Sequence, residues 1–182
     1  MTYTLEAFCK DCHSVLKSDK GPSGREKIRD LIEKVLTNKE LVAKHLGPDL
    51  PMGRKTLYED PELKFCVLAH VDHGGRASPP HDHGRSWAVY GQAVGWSEMS
   101  MWKRKGGGTS VGPAELEKVD TFRLNPGQAG IFDIGAIHGV ERSEGACTFL
   151  RVTGEDLEVV PRLKYDLGAK RAIAVESAGV SG

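Results

Sequence analysis

No apolar run in this chain of 182 residues approaches the roughly 20 residues that a bilayer-spanning helix requires. Excess charge of either sign is also missing, because 25 Lys and Arg are matched by 25 Asp and Glu. With no basic surplus and no basic, aromatic-rich platform, nothing in the composition draws nucleic acid. The stretch from Met1 to Cys9 has neither the basic region nor the long apolar region of a secretory signal, and it reads as cytoplasmic. Cysteine is scarce. Cys9, Cys12, Cys66 and Cys147 read as free thiols in a reducing compartment rather than as a disulfide framework. Internal repeats are absent, and the length suits one domain spanning residues 1–182. An apolar fraction of 39% and a mean hydropathy of −0.36 suit a water-soluble globular chain.

The chain changes texture about a third of the way along. Residues 4–17 and 25–46 carry helical periodicity, with Ile28, Leu31, Ile32, Val35 and Leu36 continued by Leu41, Val42 and Leu46. Ser23 followed by Glu26 has the pattern of a capping box, and Gly47-Pro48 stops the second helix. Residues 1–47 are therefore expected to be a helical segment of two helices. From Thr56 onward, short apolar runs alternate with Gly and Pro: Lys64–Val71, Ser86–Tyr90, Val94–Trp102, Thr121–Leu124, Ala129–Phe132 and Cys147–Val152. Short strands broken by turn signals predict a β-barrel over about residues 56–160. Residues 168–182 are small and weakly patterned and are expected to be a loose tail.

Chemistry concentrates in Pro79-Pro80-His81-Asp82-His83. Two histidines one residue apart on a strand share a face, so their imidazoles can converge on one ion. A third, His138, follows Asp133-Ile134-Gly135 after the turn at Asn125-Pro126-Gly127. A fold that returns His138 to the first pair builds a three-histidine metal site. The bland alternatives are a polar surface pair for His81 and His83 and a loop histidine for His138.

These residues match a known pattern. The stretch Gly75-x5-His81-x-His83-x4-Ala88-x6-Gly95 resembles the first motif of the cupin superfamily, with Ala88 where a glutamate ligand usually stands. The stretch Gly127-x5-Asp133-x-Gly135-x2-His138-x3-Arg142 resembles the second, with Asp for Pro and Arg for Asn. The resemblance implies a mostly β fold, a double-stranded β-helix or jelly-roll barrel with metal in its mouth, here preceded by two N-terminal helices. Three imidazoles without a carboxylate look like the cysteine dioxygenase-like, or thiol dioxygenase, branch. The Pro-x-His-Asp-His phrase, the Asp-x-Gly-x-x-His-x-Val phrase and Leu57-Tyr58-Glu59-Asp60-Pro61 also resemble that branch, over about residues 54–152.

The departures from that branch are informative. Its Ser-x-His-x-Tyr strand is expected at Thr148, Leu150 and Val152, where the triad is absent. The cysteine that some members cross-link to tyrosine falls at Ala88, so that cross-link cannot form. The arginine that binds a substrate carboxylate falls at Arg54 or Lys55. Tyr90 and Gln92 leave the metal motif on a strand, and Tyr90 is the candidate to face the cavity. The candidate site is thus His81, His83 and His138 for metal, with Tyr90 and Arg54 in catalysis. Arg85 and Arg151 are further carboxylate candidates, although each reads first as a surface charge. His70 and His73 read as surface residues with a supporting role as the alternative, and Trp87, Trp96 and Trp102 as barrel core. Asp82 or Asp133 is the candidate to accept a ligand histidine's second N–H. Cys9-Lys10-Asp11-Cys12-His13 spells a haem-attachment sequence, but without export it reads as helix thiols.

The resemblance implies an Fe(II)-dependent dioxygenase that oxidises a small thiol to a sulfinate with O2, with Zn, Ni, Cu and Mn as alternative metals. A β-diketone-cleaving dioxygenase, a non-catalytic metal-binding sensor, and a lyase or isomerase that consumes no O2 are the competing readings. The expected partners are a small-molecule substrate and O2, with no nucleic acid and no membrane; a homodimer is the candidate assembly.

Overall fold

A computed structural model of the chain describes residues 3–175. Helix α1 (Leu5–Ser18) starts where Thr4 accepts the Ala7 N–H at 3.2 Å, and it buries Phe8, Cys9, Cys12 and Leu16 along one stripe. Helix α2 (Pro22–Leu36) begins three residues before the expected position 25, because Pro22 occupies its first turn and presets the helical φ. Ser23 lies inside that turn, and no side chain caps the helix.

The helix expected over 25–46 is two helices. Asn38 interrupts it by accepting the N–H groups of Glu40 and Leu41, both at 3.1 Å, and so starts α3 (Lys39–Leu46). The apolar period runs through the break, but the Asn38 amide competes with the helical ladder there. The described chain therefore carries three helices, not two.

Twelve strands follow: β1 (Gly53–Glu59), β2 (Cys66–His73), β3 (Ala77–His81), β4 (Ala88–Val94), β5 (Ser97–Arg104), β6 (Gly112–Pro113), β7 (Leu116–Leu124), β8 (Ala129–Phe132), β9 (Ile137–Arg142), β10 (Ala146–Thr153), β11 (Arg162–Asp166) and β12 (Arg171–Val175). One sheet runs β1-β2-β10-β4-β8 and the other β6-β12-β11-β3-β9-β5-β7. The antiparallel pairs nest like a folded hairpin: β5 with β7, β4 with β8, β3 with β9, and β2 with β10. Successive pairs fall alternately in the two sheets, which is the winding of a jelly roll. The fold is the expected mostly β double-stranded β-helix.

Its limits differ from the expected 56–160. Strands begin at Gly53 and continue to Val175. Residues Arg171–Val175, expected in a loose tail, pair with β11 and β6. The small side chain at Ala172 is what lets this strand close against Ala114, Ile137, Leu163 and Tyr165, and it is fully buried. Residues 176–182 of the expected tail lie outside the described residues.

Two apolar layers fix which face of each strand points where. Val67, Ala69, Val89, Leu150 and Val152 pack outward against Phe8, Ile28 and Ile32 of the helices. Tyr90, Met99, Phe132, Val140 and Phe149 fill the barrel. Gly91 permits the close approach of α2, since a Cβ there would lie 2.1 Å from the Ile32 side chain. Strand phase also corrects an expectation. Thr148, Leu150 and Val152 face the helices, with the Thr148 hydroxyl donating to the Leu46 carbonyl at 2.7 Å. The barrel-lining residues of β10 are therefore on the opposite phase: Phe149, Arg151 and Thr153.

Candidate metal centre

The register of β3 against β9 places His81 directly opposite His138, with ring centroids 4.5 Å apart. His83 arrives differently from the expected strand alternation. Strand β3 ends at His81, and the chain turns at Asp82. The Asp82 carboxylate accepts from Gly84 N–H at 2.9 Å, Leu163 N–H at 3.0 Å and the Tyr165 hydroxyl at 3.1 Å. Gly84 has φ of 59°, and a Cβ on it would sit 2.1 Å from the Pro161 carbonyl oxygen. This pinned turn, rather than the pleat, brings His83 back to the other two rings.

One ligand atom from each of His81, His83 and His138 lies within 4.8 Å of the others. Among the described residues this is the one group of His, Cys, Asp or Glu so arranged. The Nε2 atoms of His83 and His138 stand 3.2 Å apart. Two nitrogens bound at about 2.0–2.1 Å to one ion are separated by about 2.9–3.4 Å at octahedral or tetrahedral angles. The donor set therefore fits a divalent ion. Protonation does not compete: burial pushes all three imidazoles down, His83 to about 2, and for His83 and His138 the neighbouring rings push further. All three are neutral, as ligands must be.

His81 Nδ1 donates to the Pro79 carbonyl at 2.9 Å, which leaves its Nε2 bare toward the centre. Asp82 and Asp133 do not accept from ligand histidines as expected. Asp82 is fully used in the turn, and Asp133 pairs with Arg25 of α2. The Nδ1 atoms of His83 and His138 are buried without a protein partner among the described residues.

Tyr90 faces the barrel from β4, with its hydroxyl 3.3 Å from His83 Nε2. Gln92 is buried one rung deeper, bonded to the Val94 carbonyl and the Ser97 hydroxyl. Arg54 pairs in register with His70, on the barrel-lining phase, whereas Lys55 pairs with Ala69 on the outer one. However, the Arg54 guanidinium is held at the rim by Glu158 at 2.7 Å and Asp156 at 3.6 Å. Arg85 is committed to Glu155 on the surface.

Arg151 is not the surface charge it reads as. It is 8% exposed and lies on the barrel-lining phase, opposite Tyr90. His70, also read as a surface residue, is half-buried, with its Nε2 enclosed and its ring stacked on Phe149 at 4.6 Å, and burial with the Arg151 charge drives it well below the usual histidine range. His73 is exposed, its Nε2 donating to the Leu50 carbonyl. The missed signal is the run Thr148-Phe149-Leu150-Arg151-Val152, which carries apolar residues on both phases, Phe149 on one and Leu150 and Val152 on the other. Trp87 packs on the helix side rather than in the barrel, and Trp96 lies under Arg123 at 3.9 Å. Cys9 and Cys12 are buried in α1, and His13 is taken by Asp60 at 2.8 Å.

Two hollows, of 520 and 530 Å3, lie on the outside of the barrel and include none of the three histidines. Below Tyr90 the barrel is filled, with only about 10 Å3 left among Tyr90, Gln92, Met99, Val140 and Phe149, less than one water needs. The floor is therefore shut, and a ligand is confined to the level of the triad and Arg151.

No family model and no curated protein matches the chain. Solved structures do. KdgF from a Halomonas species shares 19% identity over 55% of this chain and 76% of its own, at a TM-score of 0.41. A double-stranded β-helix protein from Klebsiella pneumoniae shares 14% over 76% and 89%, at 0.45. The DMSP lyase DddQ from Ruegeria pomeroyi shares 16% over 74% and 60%, at 0.44. The cupin domain of Schizosaccharomyces pombe Cnp3 shares 13% identity over 60% of this chain and 71% of its own, at 0.44. Identities this low carry no activity across, and the thiol dioxygenase branch rests on the sequence motifs alone.

Proposed function

We propose that His81, His83 and His138 bind one divalent metal, ferrous iron first, and that the protein uses O2 to oxidise a small thiol to its sulfinate. The observation that carries the reading is a triad of neutral imidazoles with no carboxylate ligand, His83 and His138 buried with Nε2 atoms 3.2 Å apart and His81 half-buried beside them. Such a set leaves the ion its full charge and open positions, so it would supply Lewis acidity and, as iron, redox chemistry with O2. The overall change is R–SH plus O2 to R–SO2H. Both oxygen atoms end on sulfur, which is oxidised as O2 is reduced, and no other reductant enters.

The chain's own residues would prepare that reaction. Phe132, Phe149, Met99 and Val140 keep water out of the barrel. Tyr90, with its hydroxyl 3.3 Å from His83 Nε2, is placed to hold a proton beside the substrate's sulfur. That same contact favours a second reading, a metal-dependent lyase or isomerase in which Tyr90 moves a proton and no O2 is consumed.

Metal content and O2 uptake test both. Purified protein should hold about one equivalent of iron after anaerobic loading, and His138→Ala should lose most of it. The iron-loaded protein should consume one O2 per thiol oxidised. Uptake with β-diketones instead would change the substrate class. No uptake across thiols and diketones would overturn the dioxygenase reading in favour of the lyase or isomerase, and full metal retention in His138→Ala would overturn the site itself.

A further inference from the structure

Among the described residues, every ionic side chain near the triad has a partner except one. Arg54 and Arg162 meet Glu158, and Arg142 faces Asp72 at 3.7 Å. Arg151 is more than nine-tenths buried, its Nε has no hydrogen-bond partner, and no carboxylate among the described residues lies within 4.0 Å of it. A guanidinium is always charged, and burying it without a counter-charge is unfavourable. A fold keeps such a group when something outside the chain completes it.

Its surroundings say what that partner is. Arg151 points into the barrel between Phe149 and Thr153, with its guanidinium carbon 5.9 Å from the centre of the Tyr90 ring. Tyr90 in turn touches His83. On the same phase of β10 and β2, Thr153 Oγ1 and His70 Nε2 are also buried without partners. His70 is held neutral by burial and by the Arg151 charge, so it can donate one N–H without adding charge. The Arg54 expected for this task is occupied at the rim. A guanidinium fork flanked by a hydroxyl and an imidazole suits a planar anion with two oxygens.

We propose that Arg151, with Thr153 and His70 beside it, anchors a carboxylate of the substrate, so that the site takes a compact carboxylate-bearing molecule whose other end reaches the triad. The inference rests on the metal reading for that second contact, and the filled floor below Tyr90 limits the size of the molecule.

Two thiols that differ in the carboxylate alone decide it: mercaptoacetate and mercaptoethanol, titrated into cobalt(II)-loaded protein and followed by the visible absorption of the cobalt. Mercaptoacetate should bind wild type about tenfold or more tightly than mercaptoethanol, as a charge-assisted bidentate contact implies. Arg151→Gln should remove that preference, leave mercaptoethanol binding within about twofold, and leave cobalt content unchanged. Equal binding of the two thiols by wild type overturns the inference, and so does a preference that survives Arg151→Gln. Should Arg151→Gln fail to fold, Arg151→Lys keeps the charge without the fork and should weaken mercaptoacetate alone. Should wild type take up no cobalt, the metal reading fails by itself. The anchor is then tested on metal-free protein, where propionate should raise the melting temperature above chloride at equal ionic strength in wild type and not in Arg151→Gln; no such rise overturns it.

Discussion

Asp82 shows how one residue can build a site without touching the ligand. It lies between His81 and His83, and its carboxylate faces away from the centre to gather Gly84 N–H, Leu163 N–H and the Tyr165 hydroxyl. Removing it leaves the Leu163 N–H and the Tyr165 hydroxyl buried without partners and frees the turn that aims His83. Asp82→Ala should therefore cost about 2–4 kcal/mol of stability. It should also weaken metal binding about 10–100-fold, the usual effect of losing a group that orients a ligand. Asp82→Asn keeps one oxygen acceptor and should fall between. Calorimetric melting and a competitive metal titration measure the two effects. An Asp82→Ala protein with wild-type metal affinity would show that His83 is aimed by something else.

Among the elements, the helix break at Asn38 makes a comparable prediction. Its side chain caps α3 through two N–H groups and donates to the Tyr3 carbonyl at 3.0 Å, which ties the N-terminal segment to the helical layer. Asn38→Ala should lower unfolding free energy by about 1–2 kcal/mol in urea titrations, whereas Asn38→Asp keeps the cap and should lose less. This break also shows where the sequence was readable and where it was not. Apolar periodicity marked the helical layer correctly, because Ile28, Ile32, Leu41 and Leu46 all face one core. It could not see the break, since a capping amide leaves the period undisturbed. The histidine motifs named three residues that the fold brings together, yet the geometry differs: a strand pleat was expected where a pinned turn stands. Arg151 was hidden because β10 is buried on both faces, and a strand covered on both sides loses the alternation that tells inside from outside. Strand β12 was hidden because the one side chain it buries fully, Ala172, is small, while the larger Ile173 is exposed.

At the scale of the whole molecule, the helical layer and the barrel are joined by groups whose protonation reports on folding. The four cysteines are all buried. Burial raises the Cys9 thiol to about 12 and the Cys66 thiol to about 11, and it holds Cys12 well above the ordinary range. Thiolates are the reactive form, so native protein at pH 8 should react negligibly with a disulfide reagent and should release four thiols only in denaturant; rapid native labelling would mean that α1 opens. Asp60 is the clearest joint. It is fully buried between α1 and the chain leading to β2, accepting from Leu63 N–H at 2.7 Å, Glu62 N–H at 3.0 Å, His13 at 2.8 Å and the Tyr58 hydroxyl at 3.0 Å. Burial alone would raise this carboxyl, but the Leu63, His13, Tyr58 and Glu62 bonds outweigh it and hold it below the usual range. A carboxyl whose folded value lies below its unfolded one, about 3.9, stabilises the fold above that pH. The contribution then disappears as pH falls through the lower folded value. Asp60→Asn should accordingly unfold at lower urea than wild type at pH 7, and the gap between the two should narrow as titrations are moved from pH 5 toward pH 3. A gap that stays constant over that range would mean that the Asp60 charge contributes nothing and that its four bonds act through geometry alone.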